Sequence, residues 1–337
     1  MDPLSNVLSL LKPRNYLSAG LDAGGSWSIQ FPDQQRGIKC GAVVAGECWL
    51  LVEGVADAVH LQAGDSFLLP SGRPFRLASD MALTPVDGVA VFSASCQPGI
   101  TSYNGGGDFL LLSSRFALEG IHGDILLRML PPIVHIRDEF AQALRWPVER
   151  MMQELREPQP GGPLIVQHLA QTMLVQALRL HLAEGSKGSV GWLFALAHKQ
   201  MSLAMNAMHG DPAHRWTLQE LATLVGMSRS SFALKFKETV GMSPMDYLAH
   251  WRMLLAADRL KNSPDPISVI APSLGYESET SFSMAFKKIM GCSPRQYGRE
   301  LTHPNLGDLH THLSGGRQAN FIASTKPTSR EPLLKSP

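Results

Sequence analysis

Two segments in the C-terminal half of the chain repeat the same pattern of residue types. The first covers residues 217–244 and the second covers residues 267–294. Two phenylalanines, a glycine and a proline recur at an offset of 50 positions, as the pairs Phe232/Phe282, Phe236/Phe286, Gly241/Gly291 and Pro244/Pro294. A fixed internal period indicates that one supersecondary unit occurs twice, and any fold proposed for this chain must contain both copies.

Each copy predicts a short helix, a tight turn and a second helix. In the first copy Gly226 can take the positive φ that ends a helix, and Ser228 suits the N-cap of the next one. Phe232 and Phe236 are four residues apart, so they share the buried face of that second helix. Its opposite face is small and polar, which is the pattern of a helix-turn-helix whose second helix enters the major groove. Ser278 is the matching N-cap of the second copy.

One long helix over about residues 244–262 is predicted to join the copies. Large apolar residues run along it, including Tyr247, Leu248, Trp251, Leu254, Leu255 and Leu260. The second copy departs from the pattern at Pro272, because proline inside a helix costs ~3 kcal/mol. If that helix is short and begins at Pro266, a local bend absorbs the cost.

Residues 199–300 resemble the DNA-binding domain of the AraC/XylS family of bacterial transcription regulators. The resemblance rests on the joining helix, with Trp251, Arg252, Met253, Ala256 and Leu260, and on the second copy as far as Tyr297. It implies a seven-helix unit whose two recognition helices enter successive major grooves of double-stranded DNA. The two grooves would lie about 34 Å apart, which is one helical turn of DNA.

The outward positions of both recognition helices are the candidate DNA-binding residues. Arg229 is the candidate for contact with a guanine or a phosphate. Met284 stands where many relatives carry arginine and can contact only a thymine methyl group, so more direct base readout is expected from the first helix. The lysines are expected near phosphates, with a merely solvated face as the alternative. The full set is Ser228, Arg229, Ser230, Ser231, Ala233, Leu234, Lys235, Lys237, Ser278, Glu279, Thr280, Ser281, Ser283, Met284, Lys287 and Lys288.

Residues 1–120 predict many short strands, in a sandwich or a barrel. Gly, Pro and Asp separate short apolar runs at residues 42–45, 48–52, 66–69, 88–92 and 109–112.

The spacing of Gly64, Pro70, Gly72 and Phe75 resembles the second motif of the cupin β-barrel, with Phe75 where metal-binding cupins place histidine. The first motif would lie near Cys40, where the sequence has no H-x-H. A divalent metal needs three or four converging N, S or O ligands, so no metal and no cofactor are expected. The resemblance implies a domain that senses a small-molecule effector. His60, His122 and His135 are read as packing or surface residues, with effector contact as the alternative.

The predicted fold class is α+β and multidomain. A cupin-like β-barrel is expected over residues 1–136 and a helical connector over 137–189. An all-α double helix-turn-helix follows over 190–300, with a disordered tail over 301–337. The connector has helical periodicity at residues 138–156 and 164–183. It is either a homodimer interface or plain core packing.

Composition and charge exclude several classes of protein. The sequence has no apolar run of the ~18–20 residues needed to span a membrane, and its start lacks the features of a signal peptide. Cys40, Cys48, Cys96 and Cys292 form no CxxC pair and are read as reduced thiols of a cytoplasmic protein. Residues 1–120 carry 7 Lys/Arg against 11 Asp/Glu, whereas residues 199–300 carry 12 against 9, so the C-terminal part is the better partner for an anion.

The sequence therefore predicts a sequence-specific transcriptional regulator that responds to a small molecule, that is not an enzyme, and that has RNA polymerase as a further candidate partner. Two alternatives stay open. One is a cupin enzyme that carries a DNA-binding module, and the other is a ligand-independent regulator with an inert barrel. The effector, the operator and the choice between activator and repressor are not predicted.

Overall fold

The computed structural model describes residues 2–34, 37–93, 99–117, 130–184 and 191–302. Cys96, His122, residues 185–189 of the predicted connector and the predicted tail from residue 303 onward lie outside these ranges. Among the described residues, no helix is long and apolar enough to cross a membrane.

The N-terminal part begins with a helix and continues as strands. Helix α1 (Pro3–Leu11) starts at Asp2, whose Oδ1 accepts a hydrogen bond from the Ser5 backbone N–H at 3.0 Å. Its C-cap is Lys12, a non-glycine residue in the left-handed region at φ +41°. The strands that follow are β1 (Arg14–Ala23), β2 (Ser28–Phe31), β3 (Ile38–Ala45), β4 (Glu47–Val52), β5 (Val59–Gln62), β6 (Ser66–Leu69), β7 (Phe75–Ala78), β8 (Val86–Asp87), β9 (Ile100–Tyr103), β10 (Phe109–Ala117) and β11 (Val134–Ile136).

These strands form two sheets around an apolar interior. The larger sheet has the order β11-β6-β3-β10-β1-β9 and the smaller has the order β5-β4-β7-β2-β8. Within the described part, β1–β9 and β2–β8 are parallel and the other paired strands are antiparallel. The interior is filled by alternate residues of both sheets, including Leu21, Ile29, Leu50, Phe67, Phe75 and Leu111. The cupin-like β-structure predicted from the sequence is confirmed.

One strand prediction is wrong. Residues 88–92 lie in a short helix, α2 (Gly88–Ser93), that follows β8 directly. The Asp87 side chain accepts a hydrogen bond from the Val89 backbone N–H at 3.0 Å. Such a side-chain bond two residues ahead favours a turn over continued strand pairing.

Two antiparallel helices cover the outer face of the larger sheet. A 3-10 turn (Asp138–Phe140) leads into α3 (Gln142–Arg156), and α4 (Gly162–Glu184) returns along it. Both helices predicted for the connector are therefore present. Their inner faces are buried against the sheet, whereas Trp146 and Leu164 are exposed.

The described residues 191–302 are helical apart from their connections. They form α5 (Trp192–Ala197), α6 (Lys199–Gly210), α7 (Leu218–Leu224), α8 (Arg229–Val240), α9 (Pro244–Asn262), α10 (Ile267–Ser273), α11 (Glu279–Met290) and α12 (Pro294–Thr302). The last seven make up the unit implied by the resemblance, and α9 is the predicted joining helix.

The two helix-turn-helix copies are anchored differently. One continuous apolar cluster extends from the outer face of the larger sheet through α4 and α6 into the first copy, where it includes Phe232 and Phe236. The second copy has its own cluster, built on Phe282 and Phe286. A further contact joins the N-terminal part to α9, because Lys12 Nζ lies 2.9 Å from Asp258 Oδ1.

Candidate nucleic-acid interface

The first recognition helix is α8. Ser228 caps it, with Oγ accepting a hydrogen bond from the Ser231 backbone N–H at 3.2 Å. Phe232 and Phe236 are fully buried with ring centroids 5.6 Å apart, and they hold the inner face of the helix against the core. The helix ends at Gly241, whose φ of +90° places it in the left-handed region. The predicted cap, core face and end are all present.

The second recognition helix, α11, is built in the same way. Ser278 Oγ accepts from the Ser281 backbone N–H at 3.1 Å, Phe282 and Phe286 are buried with centroids 5.8 Å apart, and the helix ends at Gly291 with φ +81°. The repeat seen in the sequence is therefore a repeat of structure at the level of individual side chains.

The candidate DNA-binding residues lie on the outward faces of these two helices. Leu234 and Met284 occupy equivalent positions at the middle of each face and are 61% and 69% exposed. Ala233 and Ser283 are half-buried at the edge of the faces. The remaining candidates are exposed, namely Ser228, Arg229, Ser230, Ser231, Lys235, Lys237, Ser278, Glu279, Thr280, Ser281, Lys287 and Lys288.

Two of the serines also serve the helix ends. Ser228 Oγ donates to Ser231 Oγ at 2.8 Å, and Ser278 Oγ donates to Ser281 Oγ at 3.0 Å. Ser231 and Ser281 are therefore exposed but already engaged with the N-caps. This second role was not predicted from the sequence.

Charge is reversed between the two faces at two equivalent positions. Arg229 begins the first helix where Glu279 begins the second, and Glu238 stands where the second helix has Lys288. Glu238 is exposed and was not among the predicted residues. Arg229 makes no hydrogen bond or ion pair within the described ranges, so its guanidinium is available to an external partner. The two faces therefore present different chemistry on the same backbone frame.

The turns of the two copies share a backbone geometry but differ in how the preceding helix begins. Gly226 and Gly275 have φ of +69° and +79°, as the sequence predicts for the first. Helix α7 begins with a capping box, in which Thr217 Oγ1 accepts from the Glu220 N–H and a Glu220 carboxylate oxygen accepts from the Thr217 N–H. These hydrogen bonds to Thr217 lower the pKa of Glu220.

Helix α10 has a different start and an internal proline. It begins after Pro266, which has no capping side chain, and Pro272 lies in its last turn. The start at Pro266 and the short length agree with the interpretation made from the sequence.

Arg252 of α9 connects the loop that precedes the first copy, residues 211–216, to the second copy. Its Nε donates to the Pro212 carbonyl oxygen at 2.7 Å, and its Nη2 donates to the His214 carbonyl oxygen at 2.8 Å. The guanidinium carbon also lies 5.7 Å from the centroid of the Tyr276 ring. Arg252 was recognised in the sequence only as part of a motif, and its role in holding the copies together depends on contacts between distant segments.

An open groove of about 460 Å³ runs beside the second recognition helix. Glu279, Met284 and Lys287 line it from α11, and Arg295 lines it from the start of α12. Arg295 was not predicted as a site residue. The signal for it was its place directly after the recurring Ser293-Pro294 pair, opposite Met245 in the first copy.

The position of the motif histidine is filled by a packed aromatic side chain. Phe75, at the position of the motif histidine, is buried and stacks on Phe31 with centroids 4.6 Å apart. Within the described ranges, no group of three or more His, Cys, Asp or Glu residues is placed to hold a metal. Burial raises the pKa of Cys40 and of Cys48 to about 12, so both remain protonated thiols at neutral pH.

The described histidines of the N-terminal part pair with carboxylates. His135 Nε2 lies 2.9 Å from Asp65 Oδ2, and His60 Nε2 lies 3.4 Å from Glu47 Oε2. The Asp65 carboxylate also accepts from the backbone N–H of Asp138, so it ties β11 and the following 3-10 turn to β6. These contacts give both histidines local structural partners.

Comparison with known proteins gives matches to both parts of the chain. A family model described as Cupin matches residues 2–183, and one described as Helix-turn-helix domain matches residues 221–300. AraC-like transcription regulators from Streptomyces antibioticus and Streptomyces lividans are each 41% identical over 306 residues, which is 90% of this chain and 99% or 100% of theirs. The HTH-type transcriptional regulator AlkR of Acinetobacter baylyi is 29% identical over 311 residues, covering 89% of this chain and 100% of its own length.

Proposed function

The chain belongs to the AraC-like transcription regulators that join an N-terminal cupin domain to a C-terminal helix-turn-helix domain, and on that premise we propose that it reads an operator made of two unlike half-sites. The observation that carries the proposal is the pair of outward faces on α8 and α11. The two helices have the same length and the same caps, but their outward faces differ in charge. A protein with two identical faces would select two identical half-sites. This chain would not.

The residues are assigned roles by the groups that DNA presents. We assign Arg229 to a guanine in the first half-site, with which its guanidinium can form two hydrogen bonds. Glu279 at the same position of α11 can accept from a cytosine amino group, and Leu234 and Met284 suit thymine methyl groups. Lys235, Lys237, Lys287 and Lys288 are assigned to phosphates, where they add salt-dependent affinity. The small residues of the same faces are assigned to close contact with the groove. They are Ser228, Ser230, Ser231, Ala233, Ser278, Thr280, Ser281 and Ser283.

The N-terminal part is assigned to sensing a small-molecule effector. We assign sensing to residues 1–136, connection and homodimer formation to 137–189, and DNA binding to 190–300. Effector binding would bias the equilibrium between two states of different DNA affinity. The continuous apolar cluster between the larger sheet and the first copy supports this coupling.

The proposal includes no catalysis and no metal, because Phe75 replaces the expected metal ligand. It places the protein in the cytoplasm, where promoter DNA lies, with RNA polymerase as a partner at the promoter. Turnover or stoichiometric metal in the purified protein would favour a cupin enzyme instead. No change in stability across a broad metabolite screen would favour a regulator with an inert barrel.

The test of the DNA interface is a competition experiment with full-length protein and two variants. Arg229→Ala should weaken binding to the selected operator by about 1–3 kcal/mol and relax the preference for guanine at one position. Lys235→Ala, the matched control, should weaken binding to all sequences equally. It should also reduce the slope of log affinity against log salt concentration by about one, as expected for the loss of one phosphate contact. A uniform loss for Arg229→Ala would make it a phosphate contact and refute its assignment to a base.

A further inference from the structure

Lys39 is a buried lysine that the DNA-binding function does not use. It lies on β3 and points from the larger sheet into the interior, and only 6% of its surface is exposed. Its Nζ donates one hydrogen bond to Ser113 Oγ at 3.1 Å. Among the described residues, no carboxylate lies within ion-pair distance of this amine. Within the described part of the chain, Lys39 therefore has one neutral hydrogen-bond partner and no counter-ion.

Aromatic rings and a second cation complete the surroundings of the amine. Nζ lies 5.3 Å and 5.5 Å from the ring centroids of Phe31 and Phe75, the stacked pair of the smaller sheet. Arg115 is directly opposite Lys39 in the register of β3 and β10. A lysine that is desolvated and placed beside another cation is the standard arrangement of an amine nucleophile.

The electrostatics favour the neutral amine. Burial, together with the nearby charge of Arg115, lowers the pKa of Lys39 to about 7. At pH 7 roughly half of the Lys39 amines are then neutral, whereas an ordinary lysine with a pKa of about 10.4 is neutral in well under one molecule in a thousand. A neutral amine does not hold a carboxylate by charge. It can attack a carbonyl carbon.

The packing limits the size of a partner. Gly41 follows Lys39 on the same face of β3, and a Cβ built there would meet the Phe67 ring at 2.3 Å, so the interior beyond Lys39 is filled. Toward the other end, Arg115 is half-buried and stacks over the exposed ring of Tyr16 at 5.3 Å. We place the approach of a small molecule on this other side, toward Arg115 and Tyr16.

We propose that Lys39 is the effector site of the cupin domain and that it captures a small aldehyde as an imine. The amine nitrogen forms a bond to the carbonyl carbon, the carbonyl oxygen leaves as water with the two amine protons, and no oxidant or reductant is consumed. Imine formation at Lys39 does not depend on the proposed function. Its expected effect, a change in DNA affinity, rests on that proposed function.

The strands that carry Lys39 and Ser113 supply a route for that change. Their other faces, with Cys40 on β3 and with Leu112 and Phe116 on β10, belong to the apolar cluster that continues through α4 to the first recognition helix. Imine formation consumes both protons of the neutral amine and so removes the hydrogen bond from Lys39 to Ser113 on one face of these strands. The opposite face of the same strands packs on the elements that hold the DNA-binding part.

The labelling test uses full-length protein, acetaldehyde and sodium cyanoborohydride in a short pulse at pH 7, followed by peptide mass spectrometry. Lys39 is expected to be alkylated at least tenfold faster than exposed Lys235, with a pH profile that rises around pH 7. The α-amino group, with a pKa near 7.7–8.0, serves as the internal reference. Labelling of Lys39 no faster than Lys235, while the α-amino group reacts, would overturn the proposal.

The second arm measures DNA affinity with and without acetaldehyde, in the absence of reductant, for the natural protein and Lys39→Arg. Arginine is long and basic like lysine but forms no imine, so only the natural protein is expected to change its affinity, by threefold or more. Equal affinities in the natural protein would overturn the role of Lys39 in sensing. Failure of the untreated protein to bind any specific sequence would instead count against the proposed function, and the labelling result would stand independently.

Discussion

Replacement of Gly275 by alanine should destabilise the protein more than the same change at Gly226. Both glycines end the first helix of a helix-turn-helix at positive φ, so each alanine variant pays roughly 1–2 kcal/mol for the left-handed conformation. At Gly226 a new Cβ meets nothing within 4 Å. At Gly275 it would lie 2.5 Å from the Ala213 carbonyl oxygen and 2.8 Å from Arg252 Nη2.

Relief of that overlap requires the second copy to move away from the loop that Arg252 holds. The bond from Arg252 to the His214 carbonyl oxygen is then lost or stretched, and a hydrogen bond from a charged donor contributes about 1.5–3 kcal/mol. We therefore expect a total loss of about 2.5–5 kcal/mol for Gly275→Ala against about 1–2 kcal/mol for Gly226→Ala. Urea denaturation of both full-length variants measures the difference. Equal losses would refute the argument that Arg252 and the second turn are packed at contact distance.

Three further predictions concern single groups. Burial lowers the pKa of His209 to about 3, so the unfolded state binds more protons than the folded state between about pH 6.5 and pH 3. The free energy of unfolding should therefore fall as the pH drops through this window. Denaturation at pH 7.5 and pH 5 should show this fall in the natural protein and not in His209→Phe. Because the folded pKa of Lys39 is about 7, stability should rise by roughly 2 kcal/mol between pH 7 and pH 9, a rise that melting curves of Lys39→Met should lack. Ser278→Ala should cost about 1 kcal/mol in urea denaturation, whereas Ser278→Asp, which keeps an N-cap acceptor, should cost little; equal losses would exclude capping as the cause.

The double helix-turn-helix could be predicted from the sequence because its determinants are local. Ser228 and Gly226 act within a few residues of their own positions, and Phe232 and Phe236 are fixed on one face by the helical period. Repetition then confirmed each assignment at an offset of 50, or of 49 for Gly226 and Gly275, since the same local rules had to hold in the second copy. The joining helix was predicted over about residues 244–262 and ends at Asn262 in the structure.

Features that depend on distant contacts could not be predicted in this way. Residues 88–92 are apolar like a strand, but the Asp87 side chain starts a helical turn there instead. Arg252 looks like any helix-surface arginine until the loop at Pro212 and the ring of Tyr276 are placed around it. Lys39 gave no signal either, because its burial follows from the pairing of β3 with β10, 74 residues away at Ser113.

The central claim is that two unlike faces on one chain read two half-sites on one side of the duplex. Its most direct test is selection from random double-stranded DNA by the full-length protein at near-physiological salt. The account predicts one asymmetric motif, with two different blocks whose centres are about one helical turn apart and a guanine-containing block that Arg229→Ala relaxes. Recovery of two identical blocks, or of binding that depends on salt and not on sequence, would contradict it.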